Sequence, residues 1–192
     1  RKRELLKVFG SIKRVREAGP VDSIENHYRE HFFAAEAALV GKLQHPNVVQ
    51  IYDAVVEGEY CYIVMEFVSG GTLEKFCDPA ALLDPQEVAE IIFKCVRALG
   101  FANRLGLTHR DLKPGNILHV GGTDIKIADF GAAINKVSDR TVINNVGSPA
   151  YMAPELIAGG AQASAATDIY ALGVVMYFML AGRLPFSGAS TA

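Results

Sequence analysis

The most informative stretch of the sequence reads HRDLKPGN over residues 109–116, and it is followed by DFG over residues 129–131. The first motif places the carboxylate of Asp111 close to a lysine and an asparagine, and the second adds the carboxylate of Asp129. A carboxylate can orient a hydroxyl group, and oxygens of asparagine and aspartate can hold a divalent metal beside it. Both motifs, in this order and a short hairpin apart, indicate phosphoryl transfer from a metal-bound nucleotide to an alcohol.

The residues between the two motifs predict a β-hairpin. The runs 116–120 and 125–128 are rich in apolar and β-branched residues, and Gly121-Gly122 separates them with a turn. Because the motifs flank this hairpin, we expect it to hold Asn116 and Asp129 close together.

A strong helix start precedes the first motif at Asp84-Pro85-Gln86-Glu87. Asp84 can cap the helix, proline suits the first turn, and Glu87 can reach back to close a capping box. Gly106 is expected to end this helix. Its apolar stripe, which we predict to face the core, consists of Val88, Ile91, Ile92, Cys95, Val96 and Leu99.

A second helix is predicted to open at Thr167-Asp168 and to continue through the apolar run 169–181. This run is shorter than the roughly 20 residues that cross a bilayer, so it is interpreted as a buried core helix.

The N-terminal third predicts a small mixed region. A short strand is expected within residues 7–15, a helix from about 23 to 43, and two strands at 48–56 and 60–64 joined as a hairpin. Residues 68–71 form a linker of small residues and are the best candidate for a lobe boundary.

Composition restricts the possible classes of protein. The chain has 192 residues, 50% hydrophobic and 21% charged, which suits one globular domain or two small lobes. A formal net charge of −2 argues against a nucleic-acid-binding face and against a polybasic membrane anchor. The three cysteines have no metal-ligand spacing and no signal peptide is recognised, which favours reduced thiols in the cytoplasm.

The ordered motifs resemble those of a eukaryotic-type serine/threonine protein kinase, of the sort also found in bacteria. Besides HRD and DFG, the resemblance rests on GSPAYMAPE at 147–155 and DIYALG at 168–173, and it runs from about Lys13 to Phe186. It implies an α+β, bilobal fold, with a β-rich small lobe that contains one helix and a mainly helical large lobe. The small lobe with the hinge would span about 1–68 and the large lobe about 69–192, each incomplete at its outer end.

The resemblance also implies the catalytic roles. Asp111 would orient the substrate hydroxyl and accept its proton, and Lys113 would steady the transferring phosphoryl group, as in kinases that act on serine or threonine. Asn116 and Asp129 would ligate Mg²⁺, a hard cation that prefers oxygen ligands. The substrate would be a protein with serine or threonine hydroxyls, and the phosphoryl donor would be ATP.

A further set of residues would bind the nucleotide. Lys13 would contact the phosphates and pair with Glu36, although a solvated charge on a strand is the alternative for Lys13. Met65 and Leu118 would line the adenine pocket, but a plain core role explains them equally well. The nucleotide-binding set is therefore Lys13, Glu36, Met65, Glu66, Val68 and Leu118.

The segment between DFG and APE is expected to be regulated. A phosphate on Ser138 or Thr141 would pair with Arg110 and order the loop. Ser148 stands where the family usually has threonine, and it would hydrogen-bond Asp111 and Lys113. His109 and Phe130 would be packing residues, in a column anchored by Asp168.

One expected feature is missing, because no G-x-G-x-x-G loop precedes Lys13. An active kinase seen as a fragment is favoured, since the polar catalytic groups downstream are intact. The alternative is a pseudokinase or regulatory scaffold without turnover. A small-molecule kinase is disfavoured by the segment 147–155, which is typical of a protein-substrate platform. The expected location is the cytoplasm, with no membrane contact in this segment and a tether outside it possible.

Overall fold

The structure is a computed structural model that describes residues 12–14, 42–57, 60–130, 148–159 and 162–186. The chain divides into two compact units. The first unit contains the described residues up to 45 and residues 49–67. The second unit contains residues 46–48 and the described residues from 68 onwards. Helices and strands both contribute, so the α+β class is confirmed.

The first unit contains a three-stranded antiparallel sheet. Its strands are β1 (Ile12–Arg14), β2 (Ile51–Glu57) and β3 (Tyr60–Met65), and β3 lies between the other two. Lys13 of β1 and Ala54 of β2 both pair with Ile63 of β3. The three predicted strands are therefore confirmed, although β2 begins at residue 51 rather than 48.

The difference at the start of β2 has a structural cause. Val48 forms a parallel bridge with Ile127, and both residues belong to the second unit. The backbone and side chain of Asn47 strengthen this attachment, because its carbonyl accepts from the Ile127 N–H at 2.8 Å and its amide donates to the Ile125 carbonyl at 3.0 Å. The helix expected at 23–43 lies outside the described residues except for its last two, which are not helical.

In the second unit, helix α1 (Pro85–Arg104) begins as the sequence predicts. Asp84 is the N-cap, and a capping box with Glu87 is present, with the Asp84 N–H donating to Glu87 Oε2 at 3.2 Å. Gly106 follows the helix with φ +78°, a conformation that glycine adopts without a steric penalty. The buried face consists of Val88, Ile91, Cys95, Ala98, Leu99 and Ala102.

The predicted stripe of α1 needs one correction. Val96 is 42% exposed, so its placement in the core was wrong, and Ile92 is only half-buried. Both residues lie at one margin of the helical face, whereas the small side chains Ala98 and Ala102 belong to its buried part.

A short helix, α2 (Pro154–Ile157), precedes α3 (Ala165–Ala181), which packs against α1. Helix α3 starts with a capping box between Ser164 and Thr167 and ends at Gly182, whose φ is +65°. Only one side of α3 is buried, since Ile169 on the opposite side is 50% exposed, so the interpretation as a buried core helix holds for that side alone. Among the described helices, none has the length and apolar character needed to cross a bilayer.

The predicted hairpin between the two motifs is confirmed. It is formed by β4 (Ile117–Gly121) and β5 (Asp124–Ile127), with Ile117 opposite Ile127. One further bond extends the ladder, because the Ala128 N–H donates to the Asn116 carbonyl at 2.8 Å. The ends of the hairpin therefore bring the backbones of the two motifs together.

One buried hydroxyl in this unit yields a prediction of stability. Thr108 is fully buried, and its Oγ1 has no hydrogen-bond partner among the described residues. Burying a hydroxyl without a partner costs free energy, so Thr108→Val is expected to raise the free energy of unfolding by about 1 kcal/mol. Urea unfolding measures the change.

The matched control is Thr167→Val, the same substitution at another buried position. The Thr167 hydroxyl donates to the Ser164 carbonyl at 2.8 Å and accepts from the Ser164 N–H at 3.0 Å. Thr167→Val should lower the free energy of unfolding by about 1 kcal/mol. A loss of stability in Thr108→Val as well would contradict the assignment of an unpartnered hydroxyl.

Candidate active site

The carboxylate of Asp111 is the centre of the site, and four hydrogen-bond donors fix it. Its Oδ1 accepts from the backbone N–H of Ser148 at 2.9 Å and from the Ser148 hydroxyl at 3.1 Å. Its Oδ2 lies 2.9 Å from Nζ of Lys113 and accepts from the side-chain amide of Asn116 at 3.2 Å. Donors on both oxygens leave the carboxylate little rotational freedom.

Lys113 links Asp111 to Ser148. Its Nζ donates to Oγ of Ser148 at 3.0 Å, so the serine hydroxyl lies between an ammonium group and a carboxylate. The contacts of Ser148 with both residues are therefore confirmed, although Ser148 is far away in sequence.

The surroundings of Asp111 act on its pKa in opposite directions. Burial favours a higher pKa, whereas the hydrogen bond and charge of Lys113 and the hydrogen bonds from Ser148 favour a lower one. The net effect lowers the pKa of Asp111 below its ordinary value, so the group is a carboxylate at neutral pH. It can accept a hydrogen bond from an alcohol and orient it.

Asn116 is buried behind this carboxylate, at the end of a 3₁₀ turn, Pro114–Asn116. Its Nδ2 donates to the backbone carbonyl of Asp111 at 2.7 Å as well as to the carboxylate. The NH₂ group is thus committed to the HRD segment (residues 109–116), and the amide oxygen is the atom that can serve as a metal ligand.

Asp129 follows β5 and has an exposed side chain. Its φ of +66° lies in the left-handed region, which aspartate tolerates better than most residues. Since Asn116 immediately precedes β4, the two residues predicted to bind Mg²⁺ flank paired strands of one hairpin. Gly131 lies outside the described residues.

The HRD segment is anchored to α3 through Asp168. This buried carboxylate accepts from the His109 N–H at 2.8 Å and from the Arg110 N–H at 3.0 Å. Arg110 has a φ of +71°, an unfavourable conformation for a residue with a long side chain. The family resemblance implied that Asp168 is an anchor, but its contacts with the two backbone N–H groups and the strained conformation of Arg110 were not predicted.

His109 connects the HRD segment to the end of β5. Its Nε2 lies 2.9 Å from the Ala128 carbonyl, and its Nδ1 accepts from the Asp111 N–H at 3.3 Å, which assigns the proton to Nε2. Burial lowers the pKa of His109, so the ring is neutral. The ring packs on Phe130 at 4.7 Å between centroids, which confirms the packing role expected for both residues.

The residues predicted to bind the nucleotide are distributed over both units. In the first unit, Lys13 lies in β1, Met65 ends β3, and the Glu66 N–H donates to the Gln50 carbonyl at 2.8 Å. Val68 and Leu118 belong to the second unit and are half-buried. Glu36, Ser138 and Thr141 lie outside the described residues.

Comparison with known proteins gives one family and several bacterial relatives. Residues 10–192 match the family described as protein kinase domain. The chain is 42% identical over 163 residues to serine/threonine-protein kinase PrkC of Bacillus subtilis and 39% identical over 160 residues to probable serine/threonine-protein kinase PknB of Lactococcus lactis. It is 36% identical over 162 residues to serine/threonine-protein kinase PknL of Mycobacterium tuberculosis.

These matches cover most of the chain but only part of each relative. In all three, 82% of the chain is aligned. The aligned part is 24% of PrkC, 25% of PknB and 40% of PknL. The chain therefore spans between a quarter and two fifths of the length of these relatives.

Proposed function

Because the chain belongs to the protein kinase domain family, we propose that it transfers the γ-phosphoryl group of ATP to serine or threonine hydroxyls of protein substrates. Family membership confirms the resemblance inferred from the motifs. The observation that carries the proposal is the placement of an alcohol, the Ser148 hydroxyl, between Asp111 and Lys113. Groups that hold one hydroxyl in this way are suited to orient another beside them, and the bacterial relatives carry the serine/threonine kinase name.

In this proposal Asp111 acts mainly by position. Its lowered pKa makes it a weak base, but a fixed carboxylate oxygen directs the lone pair of a substrate hydroxyl towards the γ-phosphorus. The hydroxyl proton passes to Asp111 as the new oxygen–phosphorus bond forms, while the bond between the γ-phosphorus and the β,γ-bridging oxygen breaks and ADP leaves with that electron pair. Lys113, already 2.9 Å from Asp111, places its positive charge where the transferring phosphoryl group is most negative.

Asn116 and Asp129 are proposed to hold Mg²⁺. The residues fit such an ion, because the NH₂ group of Asn116 is committed to Asp111 and its oxygen can face a cation, and because Asp129 supplies an exposed carboxylate. When bound, Mg²⁺ neutralises negative charge on the phosphates.

The remaining assignments are also proposals. Lys13, Glu36, Met65, Glu66, Val68 and Leu118 are proposed to bind ATP. The two compact units are proposed to correspond to the small lobe, about residues 1–68, and the large lobe, about 69–192. We place the domain in the cytoplasm, where ATP is available and where the buried, unbridged thiols of Cys77 and Cys95 stay reduced.

Regulation by phosphorylation is part of the proposal. Arg110 Nε is buried and has no hydrogen-bond partner among the described residues. Burial lowers the pKa of Arg110 while Asp168 opposes that shift, and the guanidinium remains charged. A phosphate on Ser138 or Thr141 would supply the missing acceptor. Mass spectrometry after incubation with ATP will identify the phosphorylated residue, and an unmodified loop in active protein would exclude this role.

A transfer assay tests the proposed function. The full chain is incubated with ATP labelled at the γ-phosphate and with matched peptides that carry serine, threonine or tyrosine. Label is expected on serine and threonine peptides, to be lost with EDTA and restored by Mg²⁺. If nucleotide binds but no label is transferred under any of these conditions, the regulatory-module alternative is correct instead.

A further inference from the structure

A lysine and a histidine from different elements of the second unit meet beside the linker 68–71. Lys75 belongs to the 3₁₀ helix Leu73–Phe76, and His119 belongs to β4. Nζ of Lys75 donates to the carbonyl oxygen of Gly70 at 2.8 Å and lies 3.1 Å from Nδ1 of His119. One ammonium group therefore connects the linker with the β4–β5 hairpin.

These contacts assign the roles of both ring nitrogens of His119. An ammonium group only donates hydrogen bonds, so Nδ1 accepts from Lys75 and the ring proton lies on Nε2. Nε2 then donates to the Gly122 carbonyl at 3.0 Å, at the turn of the hairpin. The ring also packs edge-on against Phe76, with 5.1 Å between the ring centroids. Because both nitrogens are satisfied and one edge is packed, the orientation of the half-buried ring is fixed.

The backbone of the linker lies beside β4 at the same place. The His119 N–H donates to the Gly71 carbonyl at 2.9 Å, and Thr72 forms an antiparallel bridge with Leu118. The two backbones are so close that a Cβ at Gly70 would collide with the His119 carbonyl. This contact is much shorter than a regular β-ladder, so its stability depends on the side chains around it.

Lys75 is held at this position from several sides. Its ammonium group lies 4.7 Å from the centre of the Phe76 ring, and among the described residues it has no carboxylate partner. The 3₁₀ helix that carries it packs on the turn Pro114–Asn116, where Glu74 Oε1 is 2.9 Å from the point at which a Cβ of Gly115 would stand. The lysine therefore links three parts of the backbone instead of neutralising a charge.

We infer that Lys75 and His119 are positioning residues for the nucleotide, because their contact holds the linker against β4 and fixes the spacing of Val68 and Leu118. Val68 is the first residue of the linker, and Leu118 immediately precedes His119 in β4. The inference rests on the proposed function, in which Val68 and Leu118 belong to the ATP-binding set. Without the contact the linker moves away from β4, so ATP binding weakens, whereas the groups around Asp111 keep their arrangement.

The test measures binding of ATP with a fluorescent ribose label to the full chain, together with kcat and the KM for ATP. Lys75→Met keeps most of the side chain and removes the ammonium group. It should raise both the Kd of the labelled nucleotide and the KM for ATP by about three- to fivefold, the range expected for a partly exposed hydrogen bond of a charged group. Its kcat should stay within about twofold of wild type. An unchanged Kd, or a loss confined to kcat, would overturn the inference.

Two substitutions of His119 separate the two ring nitrogens. His119→Asn places an amide oxygen close to the position of Nδ1, where it can accept from Lys75, so the Kd should stay within about twofold of wild type. His119→Gln reaches towards Gly122 but has no acceptor at the position of Nδ1, so its Kd should rise as in Lys75→Met. When Lys75→Met is combined with either substitution, the two double variants should bind equally well. Tight binding by His119→Gln and weak binding by His119→Asn would assign the effect to Gly122 and reject the role of Lys75.

Lys94→Met is the matched control, because it also removes an ammonium group that holds the β4–β5 hairpin. Lys94 of α1 donates to the Thr123 carbonyl at 3.0 Å and pairs with Asp124 at 2.6 Å, without a contact to the linker among its described bonds. Its Kd for the labelled nucleotide should stay within about twofold of wild type. An equal rise of the Kd in Lys94→Met and Lys75→Met would indicate a general loosening of the hairpin and would contradict a specific role of the linker.

Direct binding also separates this inference from the proposed function. If Lys75→Met and His119→Gln weaken nucleotide binding but no peptide is phosphorylated by the wild-type chain, the positioning role stands and the transfer function fails. If peptides are phosphorylated while Kd and KM are unchanged in both variants, the transfer function stands and the positioning role fails. A wild-type chain that does not bind the labelled nucleotide rejects both.

Discussion

Replacing Asp111 by asparagine is expected to lower kcat for peptide phosphorylation by about 10²- to 10⁴-fold, with a much smaller effect on the KM for ATP. Asparagine has nearly the same shape, and its oxygen can still accept from Ser148. Its NH₂ group, however, cannot accept from Asn116 or pair with Lys113, both of which now contact the second carboxylate oxygen. The variant therefore lacks the proton acceptor and the ion pair that holds the lysine.

Steady-state kinetics with a serine peptide and saturating Mg²⁺ measure the effect. Asp124→Asn provides a control of equal charge change, since Asp124 is an exposed carboxylate that pairs with Lys94 at 2.6 Å outside the site. Its kcat should stay within about twofold of wild type. An Asp111→Asn enzyme that retains more than about a tenth of wild-type kcat would show that the reaction does not depend on this carboxylate.

The chemical groups of the site could be predicted from the sequence because they lie in short linear motifs. Asp111, Lys113 and Asn116 are within six residues of one another, so local backbone geometry alone keeps them together. Asp129 could be added because a hairpin with an evident Gly-Gly turn separates it from Asn116, and that hairpin is confirmed. Ser148 was predicted only through the resemblance to a family.

The helices show where a sequence pattern carries enough information and where it does not. The start of α1 was predictable because Asp84 and Glu87 form a local capping box, and this interaction needs no tertiary contact. For α3 the apolar run is nearly continuous, so it contains no periodic signal that distinguishes the buried side from the side of Ile169. Burial of that helix depends on what packs against it.

The contacts that could not be predicted join distant parts of the chain through unremarkable residues. Glu74 in an exposed turn and Gly115 in a loop gave no signal of their own, and only the packing of the two turns brings them together. Likewise, no local rule shows that Thr108 would be buried without a partner. Such features arise from tertiary structure, and the unpartnered hydroxyl of Thr108 is the one that yielded a new prediction on stability.

The second large effect is expected for Asp168→Ala, which should lower the free energy of unfolding by about 2–5 kcal/mol. The substitution removes the acceptor for the N–H groups of His109 and Arg110 and leaves two buried or half-buried donors unpaired. It also releases Arg110, whose φ of +71° is stabilised by this contact. Small domains are stable by about 5–15 kcal/mol, so the loss is a large fraction of the total.

Urea unfolding followed by circular dichroism measures this change, and Asp168→Asn keeps the test decisive if the alanine variant does not fold. Asparagine retains one oxygen acceptor, so Asp168→Asn should lower the free energy of unfolding by about half as much as Asp168→Ala does. Glu155→Ala is the control, because it removes an exposed acid from the first turn of α2. It should lower the free energy of unfolding by no more than about 1 kcal/mol.

The activity of the Asp168 variants separates an anchoring role from a purely stabilising one. Under conditions where Asp168→Asn is fully folded, kcat should still fall, because a relaxed Arg110 shifts the adjacent carboxylate of Asp111 and misaligned groups lose catalytic power. The KM for ATP should change little by comparison. Wild-type kcat in the folded variant would mean that Asp168 stabilises the fold without positioning the HRD segment.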